Sequence, residues 1–327
     1  MSSKHLLAYV VVSCLAASAS AFDLIYDAAT KSAVIYPDKP TDVIRYTLNG
    51  KDPDFSSGVY LAPVSLAQGG TLKAALFDDR KVVGAVITKT VAAPSNVPVN
   101  TAEIPLTPNR DWKTYDWVTR HQEILALNKP GAIQADVILV GDSITHFWGG
   151  EPKASRLNGR ESWAKYIAPH HPLNLGFGWD RTENVLWRLQ HGEIAGLKPK
   201  AFVVLIGTNN LSSGVGQIQT VPETVEGIEA VCLELRKRAP GAKILLLGIL
   251  PRQERPDATR NKVADANKIL KDRAAKFSDA YIDLTVKYLA PDGRITKDIM
   301  GDFLHPTDKG YEIMGAAIDA QLKSWGL

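Results

Sequence analysis

The stretch Asp136-Val137-Ile138-Leu139-Val140-Gly141-Asp142-Ser143-Ile144-Thr145 decides how the larger part of this 327-residue chain is read. Four consecutive apolar residues followed at once by glycine fit a strand buried on both faces, as in a parallel sheet covered by helices. Similar runs recur at Phe202-Val203-Val204-Leu205-Ile206, at Ile244-Leu245-Leu246-Leu247 and at Tyr281-Ile282. Between and after them the apolar spacing turns helical: Val225, Ile228, Val231/Cys232 and Leu235; Val263, Ala266, Ile269/Leu270 and Phe277; Tyr311, Met314, Ala317/Ile318 and Leu322. Strand alternating with helix predicts a doubly wound α/β domain with a parallel sheet over residues 110–327. In such sheets ligands bind at the carboxyl ends of the strands, so the residues after each apolar run are the candidates for chemistry.

Upstream the pattern has period two. Ile44, Tyr46 and Leu48 alternate with Arg45 and Thr47, and Leu72, Ala74 and Leu76 alternate with Lys73 and Ala75. Turn signals at Asn49-Gly50, Asp52-Pro53-Asp54 and Gly69-Gly70 separate these runs, which predicts a small all-β sandwich over residues 22–91. Residues 92–109 mix Pro94, Pro98, Pro105 and Pro108 with Asn, Ser and Thr, the composition of an extended linker.

The first residues read as a targeting segment. Lys4 precedes an apolar run from Leu6 to Ala17, and Ala19-Ser20-Ala21 offers the small residues of a cleavage site, so residues 1–21 are expected to be a signal peptide and the protein to be exported, to the periplasm or beyond the cell. Val11-Val12-Ser13-Cys14 loosely fits a lipoprotein site as a lesser alternative. No other stretch approaches the length of a membrane span, so stable membrane insertion is not expected. Net charge is +3 over the whole chain, and loss of Lys4 with the leader would make it +2. With no Lys/Arg-rich run, no nucleic-acid partner is implied. Cys232 would be the one cysteine left after cleavage, so no internal disulfide is expected, and it lies on a helical apolar stripe.

Three of the post-strand blocks carry reactive residue types. Gly141-Asp142-Ser143 places a hydroxyl where strand passes to helix, beside amides that favour negative charge; the bare tripeptide also caps ordinary helices. Ile206-Gly207-Thr208-Asn209-Asn210 puts an amide side chain after the next strand, where Asn209 either donates to an oxyanion or closes a turn. Asp302-Phe303-Leu304-His305 supplies a base and a carboxylate to orient it, the two groups a serine nucleophile needs; read alone, the pattern is better taken as a polar loop histidine beside the helix cap Thr307. His121, His146, His170, His171 and His191 show no spacing with Cys, Asp or Glu that would build a zinc site, so no metal is expected. No glycine-rich phosphate loop is present, so no nucleotide cofactor is implied. Trp148, Trp179 and Trp187 are candidates to line a pocket, with Trp187 more at home in a core.

Taken together and in this order, the blocks resemble the SGNH (GDSL) hydrolases over residues 136–315. Asn174-Leu175-Gly176-Phe177-Gly178-Trp179-Asp180, followed by Val185-Leu186-Trp187-Arg188-Leu189, is similar to the second block of the catalytic subunits of intracellular platelet-activating factor acetylhydrolase and their bacterial relatives. The resemblance implies Ser143 as nucleophile, His305 as general base, Asp302 as its orienter, and an oxyanion hole of Asn209 with backbone amides at Gly178 and Trp179. Trp179 departs from the glycine common at its position, so its amide serves only if its backbone conformation is allowed for a residue with a Cβ. Residues 46–53 and 71–74 resemble the small β-sandwich at the C-terminal end of chitobiases. The expected function is a serine esterase for short acyl groups, O-acetyl on carbohydrate foremost, with attachment to polysaccharide through residues 22–91. A lipid-directed acetylhydrolase or lysophospholipase is the alternative, and a glycan-binding protein with a non-catalytic hydrolase scaffold is a second.

Overall fold

A computed structural model describes residues 22–28, 30–39, 41–92, 100–108, 115–129, 131–212 and 218–327. The expected signal peptide lies outside them, as does part of the expected linker. Among the described residues the first module has seven strands: β1 (Phe22–Asp27), β2 (Ser32–Pro37), β3 (Val43–Thr47), β4 (Gly58–Val59), β5 (Val64–Ser65), β6 (Gly70–Asp78) and β7 (Lys81–Val91). They form two antiparallel sheets, β1-β2-β5 and β4-β3-β6-β7. Phe22, Ile35, Ile44, Tyr46 and Leu72 fill the core beside them.

The face of β3 and β6 turned away from this core is covered as well. Arg45 is buried, its guanidinium lying over the rings of Phe55 and Phe77. In β6 the pairing with β7 shifts between Ala74 and Leu76. The extra residues of that shift are in β7, whereas β6 stays in register with β3, so Leu76 keeps to the core face with Leu72 and Ala74 while Ala75 and Phe77 share the opposite face with Arg45 and are buried there.

Within the expected linker, residues 100–108 lie against the second domain. Asn100 Nδ2 donates to the Glu223 carbonyl and to Glu226, Thr182 Oγ1 donates to the Ala102 carbonyl, and the Leu106 amide donates to the Glu183 carbonyl. Thr107 Oγ1 turns back to the Val59 carbonyl of the β-module. The prolines mark a seam, but its second half is a packed strap.

The second domain has strands β8 (Val137–Gly141), β9 (Pro172–Gly176), β10 (Ala201–Leu205), β11 (Lys243–Leu247) and β12 (Ala280–Ile282), all parallel in the order β12-β11-β10-β8-β9. Its helices are α1 (Trp117–Leu127), α2 (Ser143–His146), α3 (Arg160–Ser162), α4 (Thr182–Gln190), α5 (Val221–Arg238), α6 (Ala258–Arg273), α7 (Thr285–Tyr288) and α8 (Asp308–Ser324). Alternate strand residues feed two cores. Ile138, Val140, Phe202, Val204, Ile244 and Leu246 pack with α1, α4, α5 and α6, whereas Val137, Leu139, Val203, Leu205 and Leu245 pack with α8 and the 144–167 segment. Cys232 is fully buried in the first core, and burial pushes its thiol up to about 12. No helix among the described residues is long and apolar enough to cross a membrane.

Candidate active site

Three neighbouring strands, β10, β8 and β9, end together, and their following loops carry Asn209, Ser143 and Gly178-Trp179. The turn after β8 is tight. A Cβ at Gly141 would lie 2.2 Å from Thr145 Oγ1 and 2.4 Å from the Leu205 carbonyl oxygen, so only glycine lets the strand enter α2 here. Asp142 caps the helix, its Oδ1 accepting from the Ile144 amide at 2.9 Å. Ser143 follows as the first helical residue and is buried.

Beside β8, the strand β9 passes directly under α2. A Cβ at Gly176 would come within 2.2 Å of the His146 amide nitrogen. Asn174 Nδ2 ties the two by donating to the carbonyls of Thr145 and Gly149 at 2.8 and 2.6 Å.

His305 arrives from the opposite end of the domain, on the loop before α8. Its Nε2 lies 2.9 Å from Ser143 Oγ, and its Nδ1 lies 2.8 Å from Asp302 Oδ2. Because a carboxylate only accepts, Nδ1 carries the proton and Nε2 is the acceptor for the serine hydroxyl. The other Asp302 oxygen accepts from the His305 amide at 2.7 Å and the Leu304 amide at 3.2 Å. Burial opposes ionisation of Asp302, but these hydrogen bonds and the His305 ring hold its carboxyl well below the usual carboxylate range. Tyr311 of α8 donates to the Ile144 carbonyl at 2.7 Å, locking the histidine loop to the serine turn.

The loop after β9 is a β-turn, with the Asp180 amide donating to the Phe177 carbonyl at 3.1 Å. Trp179 is its third residue and has φ 66°, the left-handed conformation that favours glycine there. Gly178 differs from expectation. Its amide donates to His146 Nδ1 at 3.1 Å, so this N–H is committed to an internal acceptor. Burial, with Arg120 and Arg188 nearby, pushes the His146 imidazole down to about 2, which keeps the ring neutral and able to accept. Asn209 Nδ2 donates to the Asp180 carbonyl at 2.9 Å, joining the loops after β9 and β10; its second amide hydrogen is a further donor.

Under this loop lies a charged network that the sequence does not announce. Asp180, Arg188 and Glu193 are fully buried, and Arg188 bonds both carboxylates, with Nε 2.8 Å from Asp180 Oδ2. Trp117 Nε1 donates to Asp180 Oδ1 at 2.9 Å, and His121 Nδ1 lies 2.8 Å from Glu193. Burial works against the Arg188 charge, yet the two carboxylates hold its pKa above the ordinary value. Asp142 has the opposite balance. Burial, opposed by the Ile144 amide and reinforced by the Asp180 carboxylate, pushes its carboxyl up to about 7.

The other candidates fall in the interior. Trp148 is buried against Tyr311 and donates to Ser162, and Trp187 stacks on His191 in the first core, so neither lines a pocket. Among the described residues no three His, Cys, Asp or Glu side chains group to hold a metal.

Residues 34–91 match the Fn3 associated family model, and residues 139–313, more than half of the chain, match that of the GDSL-like lipase/acylhydrolase family. The human platelet-activating factor acetylhydrolase IB subunit alpha2 is 37% identical over 196 residues, covering 60% of this chain and 78% of that protein. The rat alpha1 subunit is 31% identical over 207 residues, covering 63% and 82%. The fold is shared with a GDSL-like lipase from Bacteroides thetaiotaomicron, with a TM-score of 0.52 at 20% identity over 62% of this chain and 97% of that one. A serine held by a strand-to-helix turn, hydrogen-bonded to a carboxylate-oriented histidine, sits inside the matched region, and the chain belongs to the GDSL-like lipase/acylhydrolase family of carboxylic ester hydrolases.

Proposed function

We propose that the protein is a serine esterase that removes short acyl groups, O-acetyl foremost, from carbohydrate. The observation that carries the chemistry is the continuous Ser143–His305–Asp302 hydrogen-bond chain. His305 takes the Ser143 proton as Oγ attacks the ester carbonyl, and a tetrahedral oxyanion forms. It returns that proton to the departing alcohol, leaving an acyl-Ser143 intermediate. A water molecule then attacks the acyl carbon, its proton passing to His305 and on to Ser143 Oγ as the acid leaves. Asn209 Nδ2 and the Trp179 amide are the oxyanion donors in this reading. The Gly178 amide is excluded by its bond to His146.

The short acyl group is supported by the acetylhydrolase names of the relatives. Carbohydrate is supported by the leader-like residues 1–21, which point to export, and by the additional β-module as a place of attachment. The same relatives favour a second reading, a lipid-directed acetylhydrolase.

Turnover of p-nitrophenyl esters from acetate to palmitate, alongside acetylated xylan and acetylated sugars, separates the two readings. Activity falling with chain length and acetate release from xylan support the first; preference for long chains or lysophospholipid supports the second. Ser143→Ala should lose several orders of magnitude in kcat and all labelling by an organophosphonate. Wild-type-like turnover in that variant overturns the mechanism. The same inactive full chain should sediment with insoluble acetylated xylan if residues 22–91 attach to it.

A further inference from the structure

The β-turn Phe177-Gly178-Trp179-Asp180 has a choice of two forms. Turning over the central peptide, the one joining Gly178 to Trp179, interconverts the type I and type II geometries. In type I the third residue has negative φ, which suits any side chain; in type II it has positive φ, which suits glycine. Trp179 at φ 66° is on the unfavourable side for a tryptophan. The Trp179 N–H belongs to that same central peptide, so a flip that relieves the strain also turns the N–H to the other face of the loop.

Two side chains oppose the flip. Tyr115 Oη donates to the Gly178 carbonyl at 2.8 Å, which fixes the central peptide by its oxygen. His146 Nδ1 accepts from the Gly178 amide at 3.1 Å, which fixes the preceding peptide. The two rings meet edge to face with centroids 4.6 Å apart, and His146 is carried on α2 with Ser143. Loop and nucleophile are thereby held in one frame.

We propose that Tyr115 is a positioning residue: its hydroxyl, with His146 anchoring the adjoining peptide, holds the Gly178–Trp179 peptide in the orientation that presents the Trp179 N–H to the oxyanion. This rests on the oxyanion assignment proposed above. A glycine at 179 would adopt the positive φ at no steric cost and would need the clamp less. Tyrosine at 115 and tryptophan at 179 are therefore coupled, the first compensating for the second.

The test is a double-mutant cycle in the full chain, read with p-nitrophenyl acetate and with thermal melts. Tyr115→Phe removes one oxygen from a half-buried ring and should lower kcat about tenfold, the factor that corresponds to 1.4 kcal/mol, with KM within about twofold. In the Trp179→Gly background the same change should lower kcat less than about threefold. A purely structural role for the hydroxyl predicts the same loss in both backgrounds, and that result overturns the proposal. So does wild-type kcat in Tyr115→Phe, or a loss confined to KM. Asn209→Ala run in parallel separates the layers: if it lowers kcat while Tyr115→Phe does not, the clamp alone fails, and if neither does, the oxyanion reading fails with it.

Discussion

Replacing Asn209 with alanine should act twice, through one nitrogen. Its Nδ2 carries two hydrogens, one donated to the Asp180 carbonyl at 2.9 Å and the other assigned to the oxyanion. Loss of one oxyanion donor costs about 2.7–4 kcal/mol of transition-state stabilisation, a fall of about 100- to 1000-fold in kcat. KM should barely change, because the donor matters for the charge that develops after binding. Loss of the other bond leaves the carbonyl of a fully buried residue without this donor, at about 1–3 kcal/mol of folding stability. At about 2–4 °C per kcal/mol for a domain of this size, the melting temperature should fall by about 2–12 °C. Steady-state kinetics on p-nitrophenyl acetate, well below the variant's melting temperature, together with circular-dichroism melts, measure both. A raised KM with retained kcat refutes the oxyanion role and makes Asn209 a substrate ligand; lowered melting with intact kinetics leaves it only the loop tie.

Arg188→Met should lower the melting temperature by about 6–20 °C, since it strands two buried carboxylates at about 3–5 kcal/mol; a melt within about 2 °C of wild type would contradict a supporting role for the network. The raised Asp142 pKa makes a stability difference with a defined sign. The native state holds this proton more tightly than the unfolded chain, so the contribution is complete below about pH 4 and is lost as pH rises through about 7. Asp142→Asn caps the helix as well and cannot ionise, so its stability relative to wild type should rise between pH 5 and pH 9 by an amount on the order of 3 kcal/mol, nearly all of it reached by pH 8. Melts that stay parallel over that range count against the buried carboxyl.

Strands with unbroken apolar runs were legible because burial on both faces leaves no polar position to confuse the period. Strand β9 was not, because Asn174 stands in its middle and Pro172 at its start, the marks of a loop. The structure buries Asn174 by giving its amide two carbonyls of the α2 segment, a long-range satisfaction that no local pattern encodes. In the β-module the period of two holds along β3 and β6, but the burial of the second face, where the Phe55 and Phe77 rings cover Arg45, was not legible for similar reasons. Ser143, Asp302 and His305 could be named because their blocks, each ambiguous alone, stand in the order of the GDSL hydrolases, and the structure brings Ser143 and His305 into contact across 162 positions. Tyr115 left no signal, since a hydroxyl bonded to a main-chain carbonyl can come from anywhere in the chain. His146 left a faint one: three residues after Ser143, it shares that helix face.

Backbone strain follows the same division between what the sequence states and what packing imposes. Three non-glycine residues with positive φ flank the site: Trp179 at 66°, Gln253 at 69° and Phe303 at 60°. Such conformations cost on the order of 1–3 kcal/mol each and persist only where the surroundings hold them. Phe303 lies between Asp302 and His305, and its reversal of the chain lets one carboxylate accept from both the amide and the ring of His305. It is held at both ends, its amide donating to the Met300 carbonyl at 3.1 Å and its carbonyl accepting from the Gln253 amide at 2.8 Å. Gln253 is pinned in turn by Arg260, whose guanidinium donates to the carbonyls of Arg252, Gln253 and Gly293. The histidine loop and the loop after β9, which carries the proposed oxyanion donor Trp179, therefore use one device, a strained residue near Ser143 or His305 and a buried or half-buried side chain bonded to the neighbouring main chain. Aligned groups of this kind need no rearrangement as charge develops, so the folding free energy spent on strain reappears as lower reorganisation in the transition state.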